Sequence, residues 1–197
     1  MSLRVVLASR NKGKVEELRR ILEPLLGIEL VALDDVEDVA ETGATFAENA
    51  FIKARAAAEA TGLPAVADDS GLVVAVLNGM PGVLSARWAG RHGDDLANLQ
   101  LLLAQIAELP DDRREAAFVC AAAAVVPGKG ERLAEGRVDG TLTRAPRGSG
   151  GFGYDPIFVP NGETRTSAEL SPDEKDAISH RGRAFRALAP LLRELLD

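Results

Sequence analysis

Acid–base or metal chemistry is most legible where Ala65-Val66-Ala67-Asp68-Asp69-Ser70-Gly71-Leu72 sets two adjacent carboxylates inside apolar sequence. An apolar run ends in the acids, and after Ser-Gly apolar residues resume through Val76. The pattern predicts a buried strand that delivers Asp68 and Asp69 to its rim, then a turn and a second strand over 72–77. A carboxylate at such a rim is fixed yet reachable, which suits divalent-cation binding and water activation. The same residues also fit a plain Asp-Ser-Gly turn, with Asp capping its own backbone and Gly taking the unusual dihedral.

A second candidate lies at Ser9-Arg10-Asn11-Lys12-Gly13-Lys14, between the apolar run Arg4–Ala8 and a helical pattern. Strand, Gly-containing loop, basic residue and helix start form a phosphate-site layout, because helix N-terminal amides and the dipole favour an anion. The GxxxxGK[ST] spacing of a Walker A loop is absent, and a solvated helix start with surface lysines fits the residues as well. A third candidate is the glycine-crowded stretch 147–156, where backbone can approach a ligand closely and Phe152 and Tyr154 can meet a planar ring.

Composition limits what these groups can serve. The chain has 197 residues, 46% of them hydrophobic and 27% charged, which fits one globular domain over 1–197. Its net charge of −7 argues against a nucleic-acid footprint but not against small phosphorylated ligands. No apolar run approaches the ~18 residues of a membrane helix, and the N-terminal run is too short for a signal peptide. A cytoplasmic location is therefore expected. Cys120 sits inside the apolar run 118–126 and reads as a buried thiol. One cysteine and two histidines do not make a structural zinc site of the usual kind.

The elements that must position these groups follow from periodicity. Val15, Leu18, Ile21, Leu22 and Leu25 recur at helical spacing, with Glu16, Glu17, Arg19, Arg20 and Glu23 on the opposite, solvated face. A strand is expected over 29–33, then an acidic connection in which Glu41, beside Thr42-Gly43, is the residue suspected of facing a metal. Thr45-Phe46-Ala47-Glu48 is a capping box opening a helix to Thr61-Gly62. Asn49 and Lys53, four apart on that helix, share a face, while Ala50, Ala54, Ala57 and Ala58 form a seam for close packing. A helix over 94–108 should bury Leu96, Leu99, Leu102, Leu103 and Ile106. Residues 116–126 and 132–138 read as antiparallel neighbours, and 156–160 as a short strand. Ser171-Pro172-Asp173-Glu174 caps a helix carrying Lys175 that breaks near Ser179-His180-Arg181-Gly182, before a last helix over 184–196. Trp88 reads as core or interface packing.

Taken in order, Ser9–Lys14, Glu41-Thr42-Gly43, Glu48–Ala54, Ala67–Leu72, Phe152–Pro156 and Lys175–Arg181 closely resemble the inosine triphosphate pyrophosphatase family. The resemblance runs over essentially the whole chain; at Arg10 many relatives carry Gly. It implies an α/β fold: a long mixed central sheet flanked by helices, with two lobes around a nucleotide-binding cleft, in a homodimer. It implies Mg²⁺-dependent hydrolysis of ITP, dITP and XTP to the monophosphate and pyrophosphate. On these positions Ser9, Arg10, Asn11, Lys12, Gly13 and Lys14 would bind substrate, as would Lys53. Glu41 and Asp69 would serve the metal, and Asp69 would accept the proton. Ser70, Phe152, Gly153, Tyr154 and Asp155 would line the nucleoside pocket, and Lys175, His180 and Arg181 would read the purine. Asp68 is left as either a direct or a supporting group.

That chemistry is consistent with the residue types. Water attacking the α-phosphorus must lose a proton, and lysines offset the charge of departing pyrophosphate. Donors on His180 and Arg181 suit a 6-keto purine and oppose adenine's amino group. Two other functions remain open at this stage: a pyrophosphatase for modified pyrimidine triphosphates, and a non-catalytic nucleotide-binding regulator.

Overall fold

The computed structural model describes residues 3–9, 11–32 and 39–197, and of Lys12 the backbone alone. Arg10 and most of the acidic connection after the second strand lie outside the described residues. The strands are β1 (Arg4–Leu7), β2 (Glu29–Ala32), β3 (Ala65–Val74), β4 (Glu115–Val126), β5 (Gly130–Leu142) and β6 (Phe158–Pro160), with β5 longer than the expected 132–138 and β6 shorter than 156–160. The helices are α1 (Lys12–Leu26), α2 (Phe46–Thr61), α3 (Asp95–Gln105), α4 (Pro172–Ile178) and α5 (His180–Leu196).

The strand order is β2-β1-β3-β4-β5-β6. β1 is parallel to both β2 and β3, with α1 and α2 as the long crossovers that parallel pairing requires. β4 and β5 are hydrogen-bonded neighbours joined only by residues 127–129, a connection too short for anything but an antiparallel pair. β5 and β6 are antiparallel. The sheet is thus mixed and flanked by helices, as expected.

Two compact units share the chain. The first comprises Met1–Asp69, Cys120–Gly136 and His180–Asp197; the second comprises Ser70–Val119 and Arg137–Ser179. In the first, Val5, Leu7, Val66, Cys120 and Ala122 pack with Leu18 and Leu22 of α1 and Phe185, Leu188 and Leu192 of α5. A second cluster joins Ala50 and Ala54 of α2 to Ala67, Ala121 and Ala123, so the alanine seam brings α2 close to the strands. In the second unit, Leu72, Leu102, Ile106, Phe118 and Phe158 form the core, the two rings meeting edge-on at 4.7 Å between centroids. Arg114 is buried there and donates to the carbonyls of Ile106, Leu142 and Thr143, each at 2.8 Å.

Several expectations shift. β3 runs unbroken through Asp-Ser-Gly to Val74, and a helical turn over Ala75–Leu77 follows it. Gly71 makes this possible: a Cβ there would collide with the Gly82 carbonyl and the Ser85 side chain. Ser85 Oγ instead accepts from the Leu72 amide at 2.9 Å and donates to Gly82 O at 2.7 Å. Leu96 belongs to the first turn of α3 and is 65% exposed, so the apolar face starts at Leu99. Leu25 is exposed as well, after Pro24 inside α1. α4 and α5 are separated at Ser179 alone, so His180 and Arg181 begin α5 rather than lying in a loop.

Candidate active site

A continuous strand sends successive side chains to opposite faces. Val66 and Cys120 pack towards α1 and α5, whereas Ala67 packs with α2. Asp68 therefore belongs to the α1/α5 face and Asp69 to the α2 face. Both are buried mid-strand, 1% and 6% exposed, rather than displayed at a rim. The two adjacent acids do not form one pair; each has its own set of partners.

On the α2 face, Asn49 Nδ2 donates to Asp69 Oδ2 at 3.0 Å. Lys53 Nζ lies 2.7 Å from Glu41 Oε1 and 3.4 Å from Asp69 Oδ1, joining the two carboxylates through one ammonium. The helical spacing of Asn49 and Lys53 thus aims both at Asp69, and the capping box that starts α2 fixes where that face points. Thr45 Oγ1 accepts from the Glu48 amide at 3.2 Å, and Glu48 accepts in return from Thr45 and Ala44. Burial pushes the Asp69 carboxyl up from its ordinary value, and Glu41 adds to this, while Lys53, Lys14 and Asn49 work against it. Burial acts to lower the Lys53 ammonium, but Asp69, Asp68 and Glu41 outweigh it and hold it raised.

On the other face, Asp68 Oδ2 lies 3.1 Å from Lys14 Nζ and 3.2 Å from Arg181 Nε. Arg181 Nη1 reaches Glu17 Oε2 at 2.6 Å. Glu17, expected on the solvated face of α1, is 2% exposed, as is Arg181. Burial would raise Asp68, yet Lys14, Arg181 and Lys53 prevail and hold it well below the usual carboxylate range. Burial also opposes the Arg181 cation, and Asp68 and Glu17 outweigh that and raise it. Cys120 Sγ sits 3.9 Å from Asp68 Oδ2, and burial followed by that charge pushes the thiol well up, which fits an inert structural cysteine. The neighbouring aspartates are accordingly expected to titrate on opposite sides of the ordinary value of about 3.9. Carboxyl ¹³C titration of the Mg²⁺-free protein checks this, Asp69 moving above that value and Asp68 below; coincident curves would contradict the split.

At the phosphate candidate, α1 begins earlier than expected, with Asn11 as its cap and Gly13 and Lys14 in its first turn. Asn11 Oδ1 accepts from the Lys14 amide at 3.1 Å, and no acidic residue occupies the first turn. That helix start is therefore electropositive at its exposed end. Ser9 is half-buried just before it. Arg10 and the Lys12 side chain lie outside the described residues.

In the second unit, Asp155 organises the glycine loop. Its Oδ2 accepts from the Phe152 amide at 2.9 Å and from Lys175 Nζ at 2.7 Å. Lys175 also stands 4.8 Å over the Phe152 ring. Gly151 has φ of 71°, and a Cβ there would strike the Asp155 carboxylate, so the loop needs glycine at that position. The Gly153 amide donates to Asp95 Oδ2 at 2.9 Å. Tyr154 departs from the expected ring contact: it is buried in the core and its hydroxyl donates to Ser85 O at 2.9 Å. Ser70 is half-buried and His180 buried at the start of α5.

The fold brings Lys53, expected at the phosphates, against Glu41 and Asp69, expected at the metal, and sets Lys175, expected with His180 and Arg181 at the purine, against Phe152 and Asp155. The sequence assigned no role to Asn49, Glu17 or Asp95. Helical spacing to Lys53 was a usable signal for Asn49; for Glu17 none was available, because its partner is 164 residues away. Among the described residues no three acids, histidines or cysteines gather as a metal cage. Two carboxylates meeting one cation nonetheless suit Mg²⁺, which takes one or two protein carboxylates and completes its shell with water and substrate phosphates.

A sequence profile of the Ham1 family matches residues 5–191. The chain is 64% identical over 197 residues to a protein of Streptomyces coelicolor named dITP/XTP pyrophosphatase, covering 98% of each. It is similar to the crystal structure of a nucleoside-triphosphatase, also titled dITP/XTP pyrophosphatase, from Mycobacterium abscessus, with 59% identity and a TM-score of 0.76 over 95% of this chain and 100% of that one. A Coxiella burnetii HAM1 protein structure superposes with a TM-score of 0.87 at 45% identity, covering 98% of this chain and 99% of that one. With the mixed sheet, the motifs and the full-length matches in agreement, this chain belongs to the Ham1 family.

Proposed function

We propose that the protein hydrolyses non-canonical purine nucleoside triphosphates (dITP, ITP and XTP) to the nucleoside monophosphate and pyrophosphate. The observation that carries this reading is end-to-end similarity, at 64% identity, to a protein named dITP/XTP pyrophosphatase. The Asp69, Glu41, Lys53 and Asn49 cluster supports it, because hydrolysis needs a proton acceptor and a place for phosphate charge.

In this reading Glu41 and Asp69 would hold Mg²⁺, which would supply positive charge against the phosphates and the leaving pyrophosphate. Asp69 orients the attacking water and takes its proton, its carboxylate held in place by Asn49 and beside Lys53. Lys53 holds phosphate oxygens beside Asp69, and the start of α1, with Ser9, Asn11 and Lys14, binds further phosphate oxygens through its amides and positive end. Ser70, Phe152, Gly153 and Asp155 contact the nucleoside, with Tyr154 supporting that loop from the core. Lys175 and His180 supply donors for a 6-keto purine. Arg181, expected to read the purine, has Nε on Asp68 and Nη1 on Glu17, and contributes instead by anchoring the start of α5 and holding Asp68 in place. A homodimer and a cytoplasmic location complete the reading; among the described residues no helix is long and apolar enough to cross a membrane.

Product analysis tests it directly. Chromatography of reactions with ITP, XTP, dITP, GTP, ATP and dTTP should give monophosphate and pyrophosphate from the 6-keto, non-canonical purines with Mg²⁺, and little without it. Diphosphate plus phosphate would replace the mechanism with a phosphatase. Turnover of modified pyrimidine triphosphates instead would reassign the base site. Binding without turnover would favour a nucleotide-binding regulator.

A further inference from the structure

We infer that Asn49 is a positioning residue for the reaction: it orients the Asp69 carboxylate and ties it to the backbone of the Glu41 loop. The inference rests on the hydrolytic reading above and assigns a task that no sequence motif specified. Asn49 is fully buried in the first turns of α2, where an asparagine with no function is costly unless both ends of its amide are satisfied. Both ends are satisfied, by different parts of the candidate site. Oδ1 accepts from the Gly43 amide at 2.8 Å, and Nδ2 donates to Asp69 Oδ2 at 3.0 Å.

The first contact dictates the second. A backbone N–H only donates, so the atom facing Gly43 must be the amide oxygen. The NH₂ group is then forced towards Asp69, where it can bind only an acceptor. Asp69 Oδ2 is thereby fixed, and Oδ1 is turned to the side where Lys53 lies 3.4 Å away. Glu41 is two residues from Gly43, and Lys53 Nζ touches both Glu41 and Asp69. Asn49 thus couples the placement of the two carboxylates through one rigid side chain. Gly43 is matched to this contact: a Cβ there would stand 2.7 Å from Asn49 Oδ1 and 2.6 Å from Glu48 Cβ. The loop can approach the amide only with glycine at that position.

Positioning predicts a specific kinetic signature. An Asp69 that wanders by an ångström loses roughly 100-fold in rate, whereas phosphate and base contacts elsewhere continue to hold the nucleotide. Asn49→Asp keeps an acceptor for Gly43 but removes the donor to Asp69. Asn49→Leu removes both. The experiment measures kcat and KM for ITP with Mg²⁺, together with hydrogen exchange of the Gly43 amide in the Mg²⁺- and nucleotide-free proteins. Expected for Asn49→Asp is a fall in kcat of about 100-fold, KM within about threefold of wild type, and retained Gly43 protection. Asn49→Leu should show the same kcat loss with protection lost. Asn49→Ser, whose shorter side chain leaves room for water, replaces either variant that does not fold. A kcat within threefold of wild type, or a rise in KM with kcat intact, overturns the inference. Wild-type protein that releases no pyrophosphate from ITP removes the hydrolytic reading itself; an active wild type with unimpaired variants removes only the role of Asn49.

Discussion

Asp69→Asn is expected to lower kcat for pyrophosphate release by about 10²–10⁴-fold while nucleotide binding persists. The substitution is nearly isosteric, so folding and the alanine-lined packing of α2 are preserved. What it removes is specific. The Gly43 amide fixes Asn49 with its NH₂ group facing position 69, so an asparagine there must turn its own oxygen to Asn49. Its NH₂ group then faces Lys53, donor against donor, where Asp69 Oδ1 now lies 3.4 Å from the ammonium. Proton acceptance is lost together with the ion pair. Binding without Mg²⁺ should hold or tighten, because one negative charge beside the phosphates disappears. Calorimetric titration of the variant with ITP, set beside single-turnover rates, reads both quantities. Turnover within tenfold of wild type would exclude Asp69 as the proton acceptor.

Arg181→Met should cost about 3–5 kcal/mol of stability, the range found when one partner of a buried ion pair is removed. Methionine matches much of the arginine stem, so the loss comes from charge rather than volume. Glu17 would be left buried without the guanidinium 2.6 Å away, and Asp68 would lose the guanidinium at 3.2 Å while keeping Lys14. Adding Glu17→Met should recover most of the loss, since a buried charge set can often be replaced by packed apolar groups at little cost. Urea denaturation of the nucleotide-free proteins measures both steps; a cost under 1 kcal/mol for the single variant would contradict this account.

The pH dependence of that cost has a defined sign. Asp68 has a folded-state pKa below its unfolded value, so its stabilisation is fully present above the unfolded value of about 3.9 and is lost as pH falls further. The gap between wild type and Arg181→Met should therefore narrow below about pH 4. Loss of activity in an Arg181 variant is also explained by this network, without any contact to the base. Base recognition is better tested at Phe152 of the glycine loop and Lys175 of α4, whose ammonium lies over that ring and on Asp155.

Sequence alone determined the quantities that are local. Capping boxes at Thr45 and Ser171, the alanine seam of α2 and the spacing of Asn49 to Lys53 all depend on residues within a few turns of each other. The ordered motifs determined the family for the same reason, since each is short and contiguous. Tertiary structure decided whatever depends on distant partners. The Asp-Ser-Gly stretch has turn chemistry by local statistics, yet Ser85 and Gly82 pack against it where β3 continues, and within that strand Asp68 and Asp69 face opposite ways. Glu17 reads as solvated from helical periodicity because the arginine that buries it comes from α5. Tyr154 reads as a ligand ring until the Ser85 carbonyl claims its hydroxyl. Long-range hydrogen bonds and ion pairs carry no period in the sequence, so only the folded chain reveals which of its charged residues face water and which face one another.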